Sequence, residues 1–183
     1  LSGEQQLLFK QPQLTDALER IGQVTPTSIL PPLAASSWHY RRRARLAARW
    51  VPKKQRTVVG FRERGNSFIA DLKRCEILTA PIDRLVEPLS TLLSALSVRA
   101  RVPQIEVAVG ENAVALVIRV LDPITQADRE LLSAFEREHR VELYLQPGGY
   151  ETVAPLNAGA SALEYRLPQF DVVLQFQPID FVQ

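Results

Sequence analysis

HYRRRARLAARW, residues 39–50, places five arginines in an otherwise apolar segment. If this segment is a β-strand, successive side chains point to opposite faces. The alternation then puts most of the arginines on one face, around Ala47: Arg41, Arg43, Arg45 and Arg49. The other face is mainly apolar: Tyr40, Ala44, Leu46, Ala48 and Trp50, with only Arg42 out of pattern. A sheet containing this strand can pack one face on its core and present arginines on the other.

The charge of the chain is segregated around this segment. Residues 38–64 contain ten Lys and Arg against one acid, Glu63, which leaves twelve basic and nineteen acidic residues elsewhere. The window therefore carries +9 and the remainder −7, although the net charge is only +2. A positive patch on a slightly acidic body is typical of a polyanion site. Two other interpretations of this patch are a solvated protein surface without a ligand, and arginines that form ion pairs with acidic residues elsewhere in the chain.

Arginine suits RNA because its planar guanidinium makes bidentate hydrogen bonds to phosphate and stacks on unpaired bases. Basic residues on the adjoining turn and strand, including Arg56 and Arg64, would extend the patch across the sheet. We predict that these residues contact substrate RNA: Tyr40, Arg41, Arg43, Arg45, Arg49, Lys53, Lys54 and Arg62. The competing hypothesis is a non-catalytic interaction module whose basic strand docks on an acidic protein surface.

Composition sets limits on the class of protein. A chain of 183 residues that is 46% hydrophobic can bury a core of one ordinary domain or slightly more. No apolar run approaches the roughly 20 residues of a membrane-spanning helix, so we expect no membrane partner. The single cysteine, Cys75, cannot form an internal disulfide, which favours the cytoplasm. By itself, Cys75 is most simply a small packed residue. The two histidines have no neighbouring ligands in the sequence, and no Ser-His-Asp or Cys-His set is visible.

Periodicity predicts an α+β fold, a mostly antiparallel sheet with two or three helices packed on it. Helical spacing covers residues 4–21, 83–96 and 125–139, and the last begins with a capping box at Thr125 and Asp128. Strand patterns form a three-stranded meander over 38–72 and a hairpin over 104–121, whose second strand should be central, followed by three further strands. The predicted organisation is a helix and Pro-rich connector over 1–34 and a central RNA-facing domain over 35–180.

Several segments in this order resemble one family of enzymes. They are WHYRRRARL (38–46), VGFRERGNSFIAD (59–71), LKRCEIL (72–78), PQIEVAVG (103–110), DPITQADRELLSAF (122–135), LYLQP (143–147) and Phe181-Val182-Gln183. Together they are similar to the central region of bacterial 23S ribosomal RNA (uracil-5-)-methyltransferases of the RumA/RlmD type. The resemblance covers nearly the whole chain and implies 23S ribosomal RNA as the partner and a monomeric protein.

The resemblance also implies cofactors. Members of the family use S-adenosylmethionine to methylate C5 of a uridine, and they carry a [4Fe-4S] cluster on four cysteines. Cys75 matches the fourth of these cysteines, although Glu76 stands where the family usually has proline. A lone thiolate cannot hold such a cluster, so we expect none to be bound by this chain alone.

The final three residues match the family's F-x-Q motif, which opens the catalytic domain. The resemblance places Phe181 near the target base and Gln183 at the S-adenosylmethionine site, so residues 181–183 would begin that domain. The family's glycine-rich cofactor loop and nucleophilic cysteine have no counterpart in this sequence, and we predict no catalytic residue in it. We therefore expect an excised part of an enzyme that is inactive alone.

Overall fold

The computed structural model of the protein describes residues 2–180. The described part contains three α-helices: α1 Gly3–Arg20, α2 Val86–Ala95 and α3 Gln126–His139. It also contains eight strands: β1 Arg43–Val51, β2 Arg56–Gly60, β3 Gln104–Val109, β4 Val114–Arg119, β5 Glu142–Gln146, β6 Ala154–Pro155, β7 Leu163–Leu167 and β8 Val172–Phe176. Within residues 2–180, no helix is long and apolar enough to cross a membrane.

Six strands form the main sheet in the order β2-β1-β3-β4-β5-β6, and β7 and β8 form a separate antiparallel pair. The α+β prediction is confirmed. All pairs in the main sheet are antiparallel except β4 and β5, which are parallel. The reason is α3, which connects these two strands and returns the chain to the same end of the sheet before β5 begins.

The core lies on the face of the sheet that α2 and α3 cover. Leu46 of β1, Ile105 of β3 and Leu116 of β4 pack there with Leu93 of α2 and Leu132 of α3, all without solvent exposure. The opposite face has a smaller apolar cluster, to which the β7–β8 hairpin contributes Leu163 and the partly buried Phe176. The buried residues of this cluster are Ala108, Ala115, Val117, Tyr144 and Leu163. The predicted alternation of β1 is therefore the basis of a sheet with two unequal faces.

Helix α2 also covers the free edge of the main sheet. The backbone N–H of Thr57 in the edge strand β2 donates to Ser94 Oγ at 2.8 Å, and the Thr57 carbonyl oxygen accepts from Ser90 Oγ. An unpaired strand edge is a template for association with other strands, and these side chains satisfy it locally.

Helix α3 begins as its capping box predicts. Asp128 accepts hydrogen bonds at Oδ2 from the Thr125 backbone N–H at 2.9 Å and the Thr125 hydroxyl at 2.8 Å. The same carboxylate accepts from the backbone N–H and hydroxyl of Ser97, beyond the end of α2, at 2.7 and 2.5 Å. Although burial opposes ionisation, these hydrogen bonds lower the pKa of Asp128 from 3.8 to about 2. The carboxylate thus links the start of α3 to the turn that follows α2.

Two elements differ from the sequence-based expectation. The third strand of the predicted meander is reduced to a single bridge between Arg62 and Ile69. There the chain returns very close to the end of β2, since a Cβ on Gly60 would lie 2.1 Å from the Ala70 carbonyl oxygen. Helix α1 forms with Ser2 as its N-cap, but it buries none of its residues and so is not packed on the sheet. The domain boundary proposed near residue 34 stays a prediction.

Candidate RNA-binding surface

Strand β1 presents its arginines as the alternation predicts. Arg45 and Arg49 are exposed, whereas Ala44, Leu46 and Ala48 between them and beside them are buried, and Arg43 is half-buried. Cross-strand pairing places Arg45 opposite Glu106 and Ala47 opposite Gln104 of β3. Paired residues share a face of the sheet, so these side chains surround the arginines of β1. We call this side of the main sheet the arginine face.

Arg45 is held by a buried acid. Its Nη2 lies 3.1 Å from Glu106 Oε1 and donates to the Tyr150 hydroxyl at 3.0 Å. Gln104 Nε2 donates to the same Glu106 oxygen at 2.8 Å, so both neighbours of this carboxylate compensate its burial. Arg45 therefore has a structural role in addition to the predicted RNA contact.

Arg41 and Arg43 lie at the other end of β1, beside the β7–β8 hairpin. Arg43 Nη2 donates to the Pro178 carbonyl oxygen at 3.1 Å, while its Nη1 is buried with no hydrogen-bond partner among residues 2–180. Arg41 donates to the Arg43 carbonyl oxygen at 2.9 Å and lies 5.4 Å from the centroid of the Phe61 ring. A cleft of about 420 Å³ lies there, lined by Arg41, Arg42, Arg43, Tyr165 and Phe176.

Three of the predicted cationic contacts stay free: Arg49, Lys53 and Arg62. Within the described residues 2–180, their side chains form no hydrogen bond, ion pair or ring contact. Arg49 and Arg62 line one cleft of about 230 Å³, and Arg49 and Phe68 line a second of about 380 Å³. Trp50 and Ile69 border both clefts, so the two arginines and the aromatic rings form one continuous surface at the end of β1.

Lys54 belongs to a different kind of cluster. Its Nζ lies 2.6 Å from Asp71 Oδ2, and Arg56 Nη2 donates to both oxygens of the same carboxylate at 2.6 and 2.5 Å. The hydrogen bond from Lys54, together with the Arg56 guanidinium, lowers the pKa of Asp71. These two cations already have a carboxylate partner, so an RNA phosphate would have to compete with Asp71 for them.

Tyr40 does not lie with the free cations. It borders a groove of about 870 Å³ between α1 and the connector, together with Leu7 and Trp38. Its RNA contact stays a prediction. Phe181 and Gln183, predicted to lie near the target base and at the cofactor site, are outside the described residues.

Sequence reasoning missed several residues of this surface. Arg119 of β4 pairs in register with Gln104 and so lies on the arginine face, although it is far from β1 in the sequence. Trp50 is stacked with Arg99, whose guanidinium carbon lies 4.8 Å from the ring centroid. Phe68 is 64% exposed. Two signals in the sequence could have indicated these residues: Arg119 interrupts the apolar strand AVALVIRVL, and Phe68 is an aromatic residue in a turn.

Cys75 lies in a loop beside the segment that leads into β1. It is 8% exposed, its backbone N–H donates to the Asp83 carbonyl oxygen at 3.0 Å, and its carbonyl oxygen accepts from Leu78 at 3.2 Å. Among residues 2–180, no group of three or more His, Cys, Asp and Glu side chains could hold a metal ion. Because Cys75 is the single cysteine of the sequence, the chain offers at most one thiolate to a four-thiolate cluster. The role of Cys75 stays a prediction.

No family model matches the chain, but curated relatives do. The chain is 45% identical over 183 residues to the 23S rRNA (uracil(1939)-C(5))-methyltransferase RlmD of Cupriavidus necator. It is 46% identical over 179 residues to the enzyme of that name from Nitrosospira multiformis, and 45% identical over 183 residues to that of Stenotrophomonas maltophilia. These matches cover 97 to 100% of this chain but only 41 to 42% of each relative.

A solved structure supports the fold. The tRNA (uracil-54, C5)-methyltransferase of Pyrococcus abyssi, in complex with S-adenosyl-L-homocysteine, matches all of this chain and 45% of its own length with a TM-score of 0.64 at 18% identity. At this identity the match concerns the fold. The resemblance seen in the sequence is confirmed by the curated relatives: along its whole length the chain is similar to 23S rRNA (uracil-C5)-methyltransferases, and it spans about two-fifths of the length of the relatives it matches.

Proposed function

We propose that this chain is the RNA-facing part of an S-adenosylmethionine-dependent methyltransferase that methylates C5 of a uridine in 23S ribosomal RNA. The observation that carries the proposal is the set of free cations at the end of β1: Arg49, Lys53 and Arg62 have no partner within residues 2–180. Relatives that match the whole chain are named as enzymes of this activity, which supports the substrate class.

Free cations bind phosphate at little cost. Arg49 can contact a phosphate without first breaking an ion pair, whereas Arg45 and Lys54 would have to share their charge with Glu106 and Asp71. Each phosphate that is neutralised releases counterions, which makes binding favourable and dependent on salt. We infer that the three free cations dominate the affinity for RNA, and that the ion-paired cations contribute a weaker electrostatic attraction for phosphate.

The arginine face then holds RNA, and the chemistry takes place elsewhere. The proposed contacts are those predicted from the sequence: Tyr40, Arg41, Arg43, Arg45, Arg49, Lys53, Lys54 and Arg62, with Phe181 near the target base. An enzyme that modifies a base has to take it out of the stack, which requires a firm grip on the surrounding backbone. We expect this chain alone to bind RNA without methylating it, because its sequence has no glycine-rich cofactor loop.

The cofactors are proposed on the same basis. Gln183 would contact S-adenosylmethionine, which supplies the methyl group. Cys75 would supply one of four thiolates to a [4Fe-4S] cluster, and the other three would come from outside this chain, which contains no second cysteine. Its loop is held on both sides by backbone hydrogen bonds, so the thiol has a defined position. We further propose that the protein acts as a monomer in the cytoplasm.

RNA binding by the purified 183-residue chain tests the proposal. We expect salt-dependent binding to a 23S ribosomal RNA stem-loop, measured by fluorescence anisotropy over a series of salt concentrations. The combined variant Arg49→Ala, Lys53→Ala, Arg62→Ala should bind more weakly. Its slope of log K against log salt should be shallower by about two, because each phosphate contact to a single strand contributes roughly 0.7.

The matched control removes three positive charges from the helices: Lys10→Ala, Arg20→Ala, Arg137→Ala. Affinity and salt slope in this control should stay close to those of the unchanged chain. Equal losses in the two combined variants would show that net charge, not this surface, drives binding. Absence of RNA binding, with binding to an acidic polypeptide instead, would favour the competing interaction module.

A further inference from the structure

We infer that Phe68 is a stacking platform for an unpaired base of the bound RNA, with Arg49 and Arg62 holding neighbouring phosphates. This inference rests on the proposed RNA-binding function and adds a subsite to it. Phe68 is 64% exposed at the turn that follows β2. Exposing a large aromatic ring to water is unfavourable, and contact with a second apolar or π surface lowers the free energy.

The turn that carries Phe68 is held in place by hydrogen bonds. The Phe68 carbonyl oxygen accepts from the Glu63 backbone N–H at 3.0 Å, and the Phe68 N–H donates to Asn66 Oδ1 at 2.7 Å. Asn66 Nδ2 in turn donates to Glu63 Oε2 at 2.9 Å. At the base of the turn, Ala70 donates to the Phe61 carbonyl oxygen at 2.9 Å. A ring presented on such a turn loses little conformational entropy when it binds.

The surroundings of the ring favour a nucleotide over an apolar peptide. Phe68 shares a cleft with Arg49, and the backbone bridge between Arg62 and Ile69 places the second free cation beside the same turn. The acid in this cleft, Asp71, is neutralised by Lys54 and so does not repel phosphate. An exposed ring with free guanidinium groups nearby matches a nucleotide, which combines a base with phosphate.

The neighbouring aromatic residue does not offer the same platform. Trp50 is half-buried and has Arg99 against its ring at 4.8 Å. Phe68 has no aromatic or cation–π contact among residues 2–180 and is largely exposed, so much of its ring is open to a ligand. Bases in a duplex are stacked on each other, whereas unpaired bases can stack on a protein ring. The ligand is therefore single-stranded RNA or a loop, and stacking alone makes the subsite tolerant of base identity.

The test compares two exposed phenylalanines in the 183-residue chain. Phe68→Leu should weaken binding to a single-stranded RNA of about ten nucleotides by roughly ten-fold, the loss typical of one stacked base. Phe68→Trp should retain the affinity. Phe9→Leu, on α1 and also 64% exposed, should leave binding unchanged. Because Phe68 and Phe9 are both exposed, all three variants should fold, which circular dichroism would verify.

A second measurement identifies stacking itself. The same RNA is prepared with one abasic nucleotide at each position in turn, and at one position the difference between the unchanged chain and Phe68→Leu should vanish. A Phe68→Leu variant with full affinity, or a loss that persists at every abasic position, overturns the inference. If the triple cation variant binds weakly while Phe68→Leu binds normally, the proposed function stands and only the stacking subsite fails. If the unchanged chain binds no RNA, the proposed function itself fails.

Discussion

The two faces of the main sheet differ in what they do with the same strand. On one face Ala44, Leu46 and Ala48 of β1 are buried under α2 and α3. On the other face β1 carries arginines, which are covered by the β7–β8 hairpin near Arg43 and open to solvent near Arg49. The difference shows that a period of two lets one strand contribute to the core and display charge at once. Substitutions on the two faces should therefore affect different properties.

A second contrast lies within the arginine face. Arg45 compensates a buried carboxylate, while Arg49, on the same side of the strand, has no partner within residues 2–180. Both side chains are exposed, and the sequence alone predicts the same environment for the two arginines. Burial of Glu106 on β3, and not any property of β1, makes one of them structural.

The largest effect is expected on the helix-covered face. Leu46→Ala should lower the free energy of unfolding by about 2–5 kcal/mol, because it removes a fully buried side chain and leaves a cavity. Urea unfolding followed by circular dichroism measures the change. Leu33→Ala, at a fully exposed leucine of the connector, should change it by less than about 0.5 kcal/mol. Similar losses in both variants would contradict the assignment of the core to this face.

The link between α2 and α3 should have the next largest effect, and it should depend on pH. Asp128→Asn is expected to cost about 2 kcal/mol at neutral pH, since the folded carboxylate has a pKa of about 2 against an ordinary 3.8. Because the folded pKa is the lower one, this stabilisation is complete above about pH 5 and is lost as pH falls towards about 2. Unfolding at a series of pH values should show the two proteins converging in acid. A constant difference would exclude ionisation of Asp128 as its cause.

The smallest effect should separate the two arginines of β1. Arg45→Ala is expected to cost about 1–2 kcal/mol in unfolding free energy, because Glu106 stays buried and, among residues 2–180, keeps only the Gln104 amide as a hydrogen-bond partner. Arg49→Ala should cost less than about 0.5 kcal/mol. Adding Glu106→Gln to Arg45→Ala should recover part of the loss, since the buried charge is then gone. Equal costs at the two arginines would remove the contrast drawn within this face.

Much of the fold could be predicted from local patterns. The capping box at Thr125 sets the start of α3, and the strand patterns of QIEVAVG and of the continuously apolar AVALVIRVL identify the β3–β4 hairpin. These signals depend on residues that are close together in the sequence, so they can be identified from the sequence alone. The parallel pairing of β5 with β4 was not readable, because the direction of a strand depends on how α3 packs back on the sheet.

The candidate site was predictable in part. The charged segment 38–64 identifies the patch, and the alternation of β1 identifies its face. Which cations are free was not predictable, because their partners come from distant segments: Asp71 for Lys54 and Glu106 for Arg45. Arg119 could not be assigned to the face before the register of β3 and β4 was known.

The sequence alone determined the α+β class, the two-faced character of β1 and the segregation of positive charge, since each depends on residue type and short-range periodicity. Its resemblance to one methyltransferase family is likewise carried by the order of its motifs. Only the tertiary structure decided which arginines are bound by carboxylates, that α2 covers the edge of β2, and that Phe68 is displayed beside Arg49 and Arg62. Such contacts join residues far apart in the chain, and they exist only once the strands are in register and the helices are packed.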